Sequence, residues 1–185
     1  MSAPVSERTI GDYLDALASS APAPGGGSVA GVVGGLAMCL GRMVVSLSPE
    51  SEALRASSAR LEEATAQCIV ASGDDERAYG GYVAASKLPK STPEEKKARR
   101  VAMQAALHDA AETPMRLAEL LTAMKAEIRV IAELGSSHVV SDAAAALLLA
   151  DAAIGICRNN VEVNLPYLKD ATFVDELKAR LQAIG

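Results

Sequence analysis

Asp75 stands where a carboxylate is expensive. Alternating three- and four-residue steps after Pro49 pass through Leu54, Ser58, Leu61, Thr65, Cys68, Ser72, Asp75, Tyr79 and Tyr82, the repeat of one inward helical face. A charge on that face must be paired or used. Burial would raise the carboxyl pKa toward neutrality, the range in which a general base works. The alternative is a helix turned so that Asp75 shares solvent with Asp74 and Glu76.

Four other groups carry possible chemistry. Asp142 falls in the first turn of a later helix, where the helix dipole stabilises its charge; capping accounts for it as readily as catalysis. Asn160 and Asn164 are four apart on one helical face in an apolar context. Paired amides can read the donor and acceptor edge of a heterocycle, or they can cap and bond between helices. Gly25-Gly26-Gly27-Ser28 opens a helix, so its backbone N–H groups offer an anion or carbonyl site, or else it is a tight turn with a serine cap. It lacks the lysine of a Walker-type loop and follows no strand, which disfavours a nucleotide. Lys87, Lys90, Lys96, Lys97, Arg99 and Arg100 cluster beside Glu94 and Glu95. In an acidic chain this reversal of sign could draw an acidic substrate tail, or form a solvated face. Asp151 and Arg158 share a helix face and read as members of buried structural ion pairs with other helices. His108 and His138 share no ligand spacing, so no metal is expected.

These residues need helices to position them. Thr9 to Ala18 carries Ile10, Leu14 and Leu17 at helical spacing. Ala21-Pro22-Ala23-Pro24-Gly25-Gly26-Gly27-Ser28 reads as a constrained loop. A second helix is expected from Ser28 to about Ser48, rich in Gly and Ala, and a third from about Pro49 to Ser86. Ser91-Thr92-Pro93-Glu94-Glu95 is a helix start for a fourth that reaches Leu134, with a kink expected at Pro114. A fifth runs from near Ser141-Asp142 toward Asn164, and a sixth from about Tyr167 to Ala183. No strand period, repeat or linker is visible. The expectation is one all-α domain over residues 1–185, a bundle of about six helices, several of them long. Their apolar surplus predicts a homodimer or higher oligomer.

Composition agrees. The chain has 185 residues, half apolar, with one Phe, four Tyr and no Trp. Small side chains suit close helix packing better than sandwiches or barrels. A net charge of −5 argues against a nucleic-acid partner. Cys39, Cys68 and Cys157 have no metal or redox spacing and read as buried thiols. The polar N-terminus shows no signal peptide, so a cytoplasmic protein is expected. Val29 to Leu47 is apolar enough to raise a membrane span. Arg42 would cost about 2.5–3.5 kcal/mol at a bilayer centre, so a buried central helix is expected instead.

Pro22-Ala23-Pro24-Gly25-Gly26-Gly27-Ser28 before an Ala/Gly-rich helix resembles the opening of the cyclodeaminase/cyclohydrolase family. That family includes the cyclodeaminase half of formiminotransferase-cyclodeaminase and stand-alone methenyltetrahydrofolate cyclohydrolases. The resemblance continues through Asp75-Glu76-Arg77-Ala78-Tyr79, similar to an Asp-x-x-Ala-aromatic pattern, then Leu88-Pro89-Lys90, Pro114, Ser141-Asp142 and Asn160-Val161-Glu162-Val163-Asn164-Leu165. It spans nearly the whole chain in order. One departure is Gly135-Ser136-Ser137-His138, where the family often has Gly-Asn and further Asn.

The resemblance implies an all-helical homodimer with a folate site near Pro24 to Ser28 and Asp75 as catalytic acid/base. On that basis Asp142 would orient the substrate or balance a cationic carbon. Tyr79, Asn160 and Asn164 would contact the ligand, and Lys90 its glutamate tail. The implied activity is methenyltetrahydrofolate cyclohydrolase, preferred because no formiminotransferase part accompanies the chain. Alternatives are formiminotetrahydrofolate cyclodeaminase and a non-catalytic helical interaction module. Neither reaction calls for a metal, nucleotide or redox cofactor.

Overall fold

The computed structural model describes residues 4–184. Among them are six α-helices and three short 3-10 turns, with no strand. The α-helices are α1 (Ile10–Ala18), α2 (Gly26–Ser46), α3 (Glu52–Ser86), α4 (Pro93–Leu134), α5 (Val140–Asn164) and α6 (Ala171–Ala183). Helices α2 to α5 form an up-down-up-down bundle in which α2–α3, α3–α4, α4–α5 and α5–α2 are neighbours and α2–α4 is the closer diagonal.

Close approach explains the glycines of α2. A Cβ on Gly31 would meet the Cys68 carbonyl oxygen at 2.5 Å, one on Gly34 the Leu121 side chain at 2.7 Å, and one on Gly41 the Leu61 side chain at 2.9 Å. Glycine interrupts an exposed helix at about 1 kcal/mol relative to Ala; here it lets α3 and α4 lie against the α2 backbone. The core around it joins Met38, Leu54, Leu61, Leu121, Ile128 and Ile131, all fully buried, to a row of α5 alanines. Arg42 pairs with Glu62 at 3.1 Å, so the charge inside the apolar α2 sequence is met from α3. The helices Gly26–Ser46 and Ser137–Tyr167, the latter including flanking turns, are long and apolar enough to cross a membrane. Both are also members of this core.

Helix ends depart from expectation where packing overrides local preference. Gly26, Gly27 and Ser28 are the first turn of α2 rather than loop, with Gly25 extended as the N-cap. Helix α3 starts at Glu52, after Ser51 takes an extended backbone. The sixth helix starts at Ala171, capped by Asp170 Oδ1, which accepts from the Phe173 N–H at 3.1 Å. Thr92 and Glu95 close the expected cap of α4 as a reciprocal box. Helix α4 runs unbroken through Pro114.

Helix α6 lays Phe173, Leu177 and Leu181 on Ala111, Met115 and Val161. Arg180 bridges Glu112 and Glu119 of α4 with four N–H donations of 2.8–3.1 Å. Asp151 pairs with Lys125 of α4, an ion pair with another helix as expected but exposed rather than buried. Cys68 and Cys157 are buried and their thiols are pushed up to about 12 by desolvation. Cys39, expected inside, is exposed.

Candidate active site

The site lies at the end of the bundle where α2 begins and α5 ends. Bends at Pro22 and Pro24 bring the chain to Gly25, which caps the helix with an extended backbone, and the first N–H groups of α2 have no earlier carbonyl to bond. Asp75 of α3 faces this turn. Its Oδ2 accepts from the Ser28 N–H at 3.0 Å, an acid held against the positive end of a helix. Gly27 makes that approach possible, since a Cβ there would overlap the Asp75 carboxylate. Asp75 is half-buried, and desolvation raises its pKa above the ordinary carboxylate value. The Glu76 charge adds to the rise and the Ser28 N–H opposes it.

A cavity of about 370 Å³ opens over the acid. Gly25, Gly26 and Gly27 form one wall, Asp75, Tyr79 and Tyr82 of α3 a second, Leu107 and Ala110 of α4 a third. Asn160, Asn164 and Tyr167 close it from the end of α5 and the turn after it. Its size and its mix of aromatic, aliphatic and a few polar groups suit a flat heterocycle. The two asparagine amides differ in what they leave free. Asn160 Nδ2 donates to the Ile156 carbonyl at 3.0 Å, and Asn164 Nδ2 donates to the carbonyls of Asn160 at 2.8 Å and Ala110 at 3.3 Å. Asn164 is left with its Oδ1 for a ligand, and Asn160 with its Oδ1 and one Nδ2 hydrogen.

Beneath Asp75 lies a buried polar knot. Ser28 Oγ bonds Tyr13 Oη at 3.0 Å and Ser72 Oγ at 2.8 Å, and donates to Glu76 Oε1 at 3.2 Å. Ser72 Oγ donates to the Ser28 carbonyl at 2.9 Å. Arg8 holds Glu76 with two N–H donations, 3.1 Å and 2.8 Å. Every hydroxyl in the knot is engaged. Burial raises the Tyr13 phenol above its ordinary pKa, so it stays a neutral donor or acceptor. The knot fixes the turn whose N–H groups face the cavity.

Of the residues expected at the site, Gly25, Gly26, Gly27, Asp75, Tyr79, Asn160 and Asn164 line the cavity. Pro24 and Ser28 are buried behind it, and Ser28 contributes through its backbone. Lys90 is exposed in the connection between α3 and α4 and does not line it. Asp142 does not join them. It lies eighteen residues before Asn160 on α5, about 27 Å at 1.5 Å per residue, at the opposite end of the bundle. His138 is exposed in the turn before α5. Among the described residues no group of His, Cys, Asp and Glu is placed to hold a metal ion. Leu107, Ala110 and Tyr167 went unrecognised in the sequence. Only Tyr82, on the same stripe as Asp75, carried a signal.

The chain is similar to known proteins along most of its length. The chain is 34% identical over 185 residues to a methenyltetrahydrofolate cyclohydrolase of Methylorubrum extorquens, covering 95% of this chain and 88% of that protein. It is 32% identical over 176 residues to a formimidoyltransferase-cyclodeaminase of Gallus gallus, of which it spans 32%. The crystal structure of formiminotetrahydrofolate cyclodeaminase from Thermotoga maritima superposes with a TM-score of 0.86 at 26% identity, over 97% of this chain and 89% of that one. Residues 9–183 match the sequence model of formiminotransferase-cyclodeaminase, and the chain belongs to that family.

Proposed function

We propose that this protein is a folate one-carbon enzyme that hydrolyses 5,10-methenyltetrahydrofolate to 10-formyltetrahydrofolate. The observation that carries the reading is Asp75: a carboxylate with raised pKa, held by the Ser28 N–H at the edge of a cavity sized for a heterocycle. The likeness to a cyclohydrolase along nearly its full length supports it.

The substrate carbon is cationic, shared between N5 and N10, so a carboxylate beside it is favourable. Water adds to that carbon as Asp75 takes one proton. The tetrahedral carbon then breaks its bond to N5, Asp75 returns its proton to N5, and the hydroxyl proton passes to solvent as the formyl carbonyl forms. One group thus serves first as base and then as acid. The aromatic walls and asparagine acceptors orient the ring system, and the N-terminal turn of α2 faces its polar edge. No electron or phosphoryl transfer occurs, so we propose no cofactor.

The Thermotoga maritima neighbour favours a second reaction at the same site, because it too is little longer than this chain. There N10 attacks the formimino carbon on N5 and ammonia leaves, with Asp75 again moving the proton. Purified protein should abolish the near-ultraviolet absorbance of methenyltetrahydrofolate. Turnover of formiminotetrahydrofolate alone, with ammonia released, assigns the cyclodeaminase reaction instead. Turnover of neither, with no rise in melting temperature at saturating folate, leaves only a helical interaction module.

The proposal extends to a cytosolic homodimer formed through the outer faces of α2 and α5. Leu36, Cys39 and Met43 on α2 and Leu148 on α5 are exposed there, and the space around Gly155 is open. The net charge of −5 speaks against nucleic acid as a partner. Light scattering on the purified protein tests the pairing.

A further inference from the structure

The first turn of α2 has little of its own to hold it. Gly26 and Gly27 are poor residues for a helix, and the N-cap Gly25 brings no capping side chain. Larger residues are barred by the site itself. A Cβ on Gly27 would overlap the Asp75 carboxylate, and one on Gly26 would lie 3.4 Å from Asn160 Nδ2. Left to itself such a turn frays, and the Ser28 N–H would swing off Asp75.

What holds it comes from the N-terminal segment. Tyr13 is the single buried residue of α1, whereas Ile10 and Leu14 are exposed. The preceding 3-10 turn, Val5–Glu7, buries none. The segment gains little from apolar burial, so its grip on the bundle is polar. Ser28 Oγ is fully buried and has one hydrogen, which it donates to Glu76 Oε1 at 3.2 Å. Tyr13 Oη, 3.0 Å away, is therefore the donor in its bond to Ser28 Oγ. Arg8 keeps Glu76 in place with two N–H donations. Without them the Glu76 charge could turn into the outer groove of about 690 Å³ that it borders. The chain of bonds thus has both ends, Tyr13 and Arg8, on the N-terminal segment. Its middle is the turn that meets Asp75.

We propose that Tyr13 and Arg8 are positioning residues for the reaction, keeping the first turn of α2 wound and its Ser28 N–H on Asp75. The inference rests on the folate reading above. Neither side chain lines the Asp75 cavity, so each acts through Ser28 and the placement of the acid rather than on the substrate.

The experiment joins steady-state kinetics on methenyltetrahydrofolate with amide hydrogen exchange read by NMR, in the full chain, Y13F, R8A and I131V. Y13F keeps the ring and removes the hydroxyl. Its kcat should fall about three- to tenfold, the scale of one hydrogen bond, with a smaller change in KM. Its Ser28 amide should exchange faster by a similar factor, because the turn opens locally. R8A should move both readouts the same way, and it carries the test where Y13F does not fold. I131V controls for general loosening. Ile131 is fully buried and lies about 32 Å along α4 from Ala110, so its loss of a methyl group should lower the melting temperature while kcat and Ser28 exchange stay as in the full chain. Unchanged kcat in Y13F and R8A, or a rise in KM alone, overturns the positioning role. So does unchanged exchange at Ser28, or an equal fall of kcat in I131V. Each of these outcomes leaves the folate reading standing. A full chain inactive on both methenyl- and formiminotetrahydrofolate removes that reading and the positioning role with it.

Discussion

The Asp75 carboxylate occupies the space in which a side chain on Gly27 would sit. The acid on α3 and the bare backbone on α2 are therefore one unit, closed by the Ser28 N–H at 3.0 Å. Gly27 needs no unusual backbone angle, since it is an ordinary helical residue; it is needed for what it lacks. Gly27→Ala should push the carboxylate out of place and lower kcat by about 100-fold, the scale of a 1 Å misplacement. Circular dichroism should still report a helical protein. Activity within a few-fold of wild type would show that Asp75 tolerates displacement.

Asp75→Asn keeps the shape and an acceptor for Ser28 but removes the proton carrier. Turnover should fall about 10²- to 10⁴-fold. Stability should move the other way. The ordinary value is 3.8, and burial raises it in the folded chain. Below 3.8 both states are protonated and the site costs nothing. As pH rises the unfolded chain releases its proton first, so the folded state loses stability until pH passes its raised value. At pH 7 the asparagine variant should melt at or above wild type, and at pH 3.5 the advantage should be gone.

The same raised pKa shapes the rate profile. If Asp75 begins the reaction as a base, kcat/KM falls on the acid side as the carboxylate is protonated. The midpoint of that limb should lie above 3.8, because desolvation outweighs the Ser28 N–H bond. A limb at or below the ordinary carboxylate value assigns the base role to another group.

Arg8 lies in a short N-terminal segment, yet its side chain is 8% exposed and that of its partner Glu76 is 15%. Arg8→Ala leaves Glu76 facing Ser28 with its charge unbalanced. The cost should be about 2 kcal/mol, or roughly 4–8 °C in melting temperature for a domain this size. Adding Glu76→Gln should recover part of it. An unchanged melting temperature in Arg8→Ala would mean that the pair contributes no net stability.

Much of this was legible because periodicity reports burial. The stripe from Leu54 to Ser72 follows the α3 core face, with Ser57 and Ala64 buried in place of Ser58 and Thr65. A straight helix drifts about 20° per heptad, which also turns Tyr79 outward to 42% exposure. Asp75 stood out since a carboxylate on such a stripe is anomalous. Asp142 misled because position in a helix says nothing about which end of the bundle that helix reaches. Tyr167, Leu107 and Arg100 come together only through topology. Ser28 was visible as a polar residue at a helix start, but the direction of its side chain depended on Tyr13, Ser72 and Glu76 from other segments.

Pro114 and Asn164 give a test of how the site's rim is held. Proline has no N–H, so the Ala110 carbonyl four residues earlier in α4 loses its helical donor. Asn164 Nδ2 donates to that carbonyl at 3.3 Å from α5, and Ala110 lines the cavity. Asn164→Ala should cost about 1–3 kcal/mol, the scale of leaving a part-buried acceptor unpaired. Pro114→Ala restores an N–H within α4. In that background Asn164→Ala should cost measurably less, a coupling of about 1 kcal/mol in a double-mutant cycle followed by urea unfolding. Equal costs in both backgrounds would mean that Asn164 acts only through its bond to Asn160 or through the ligand.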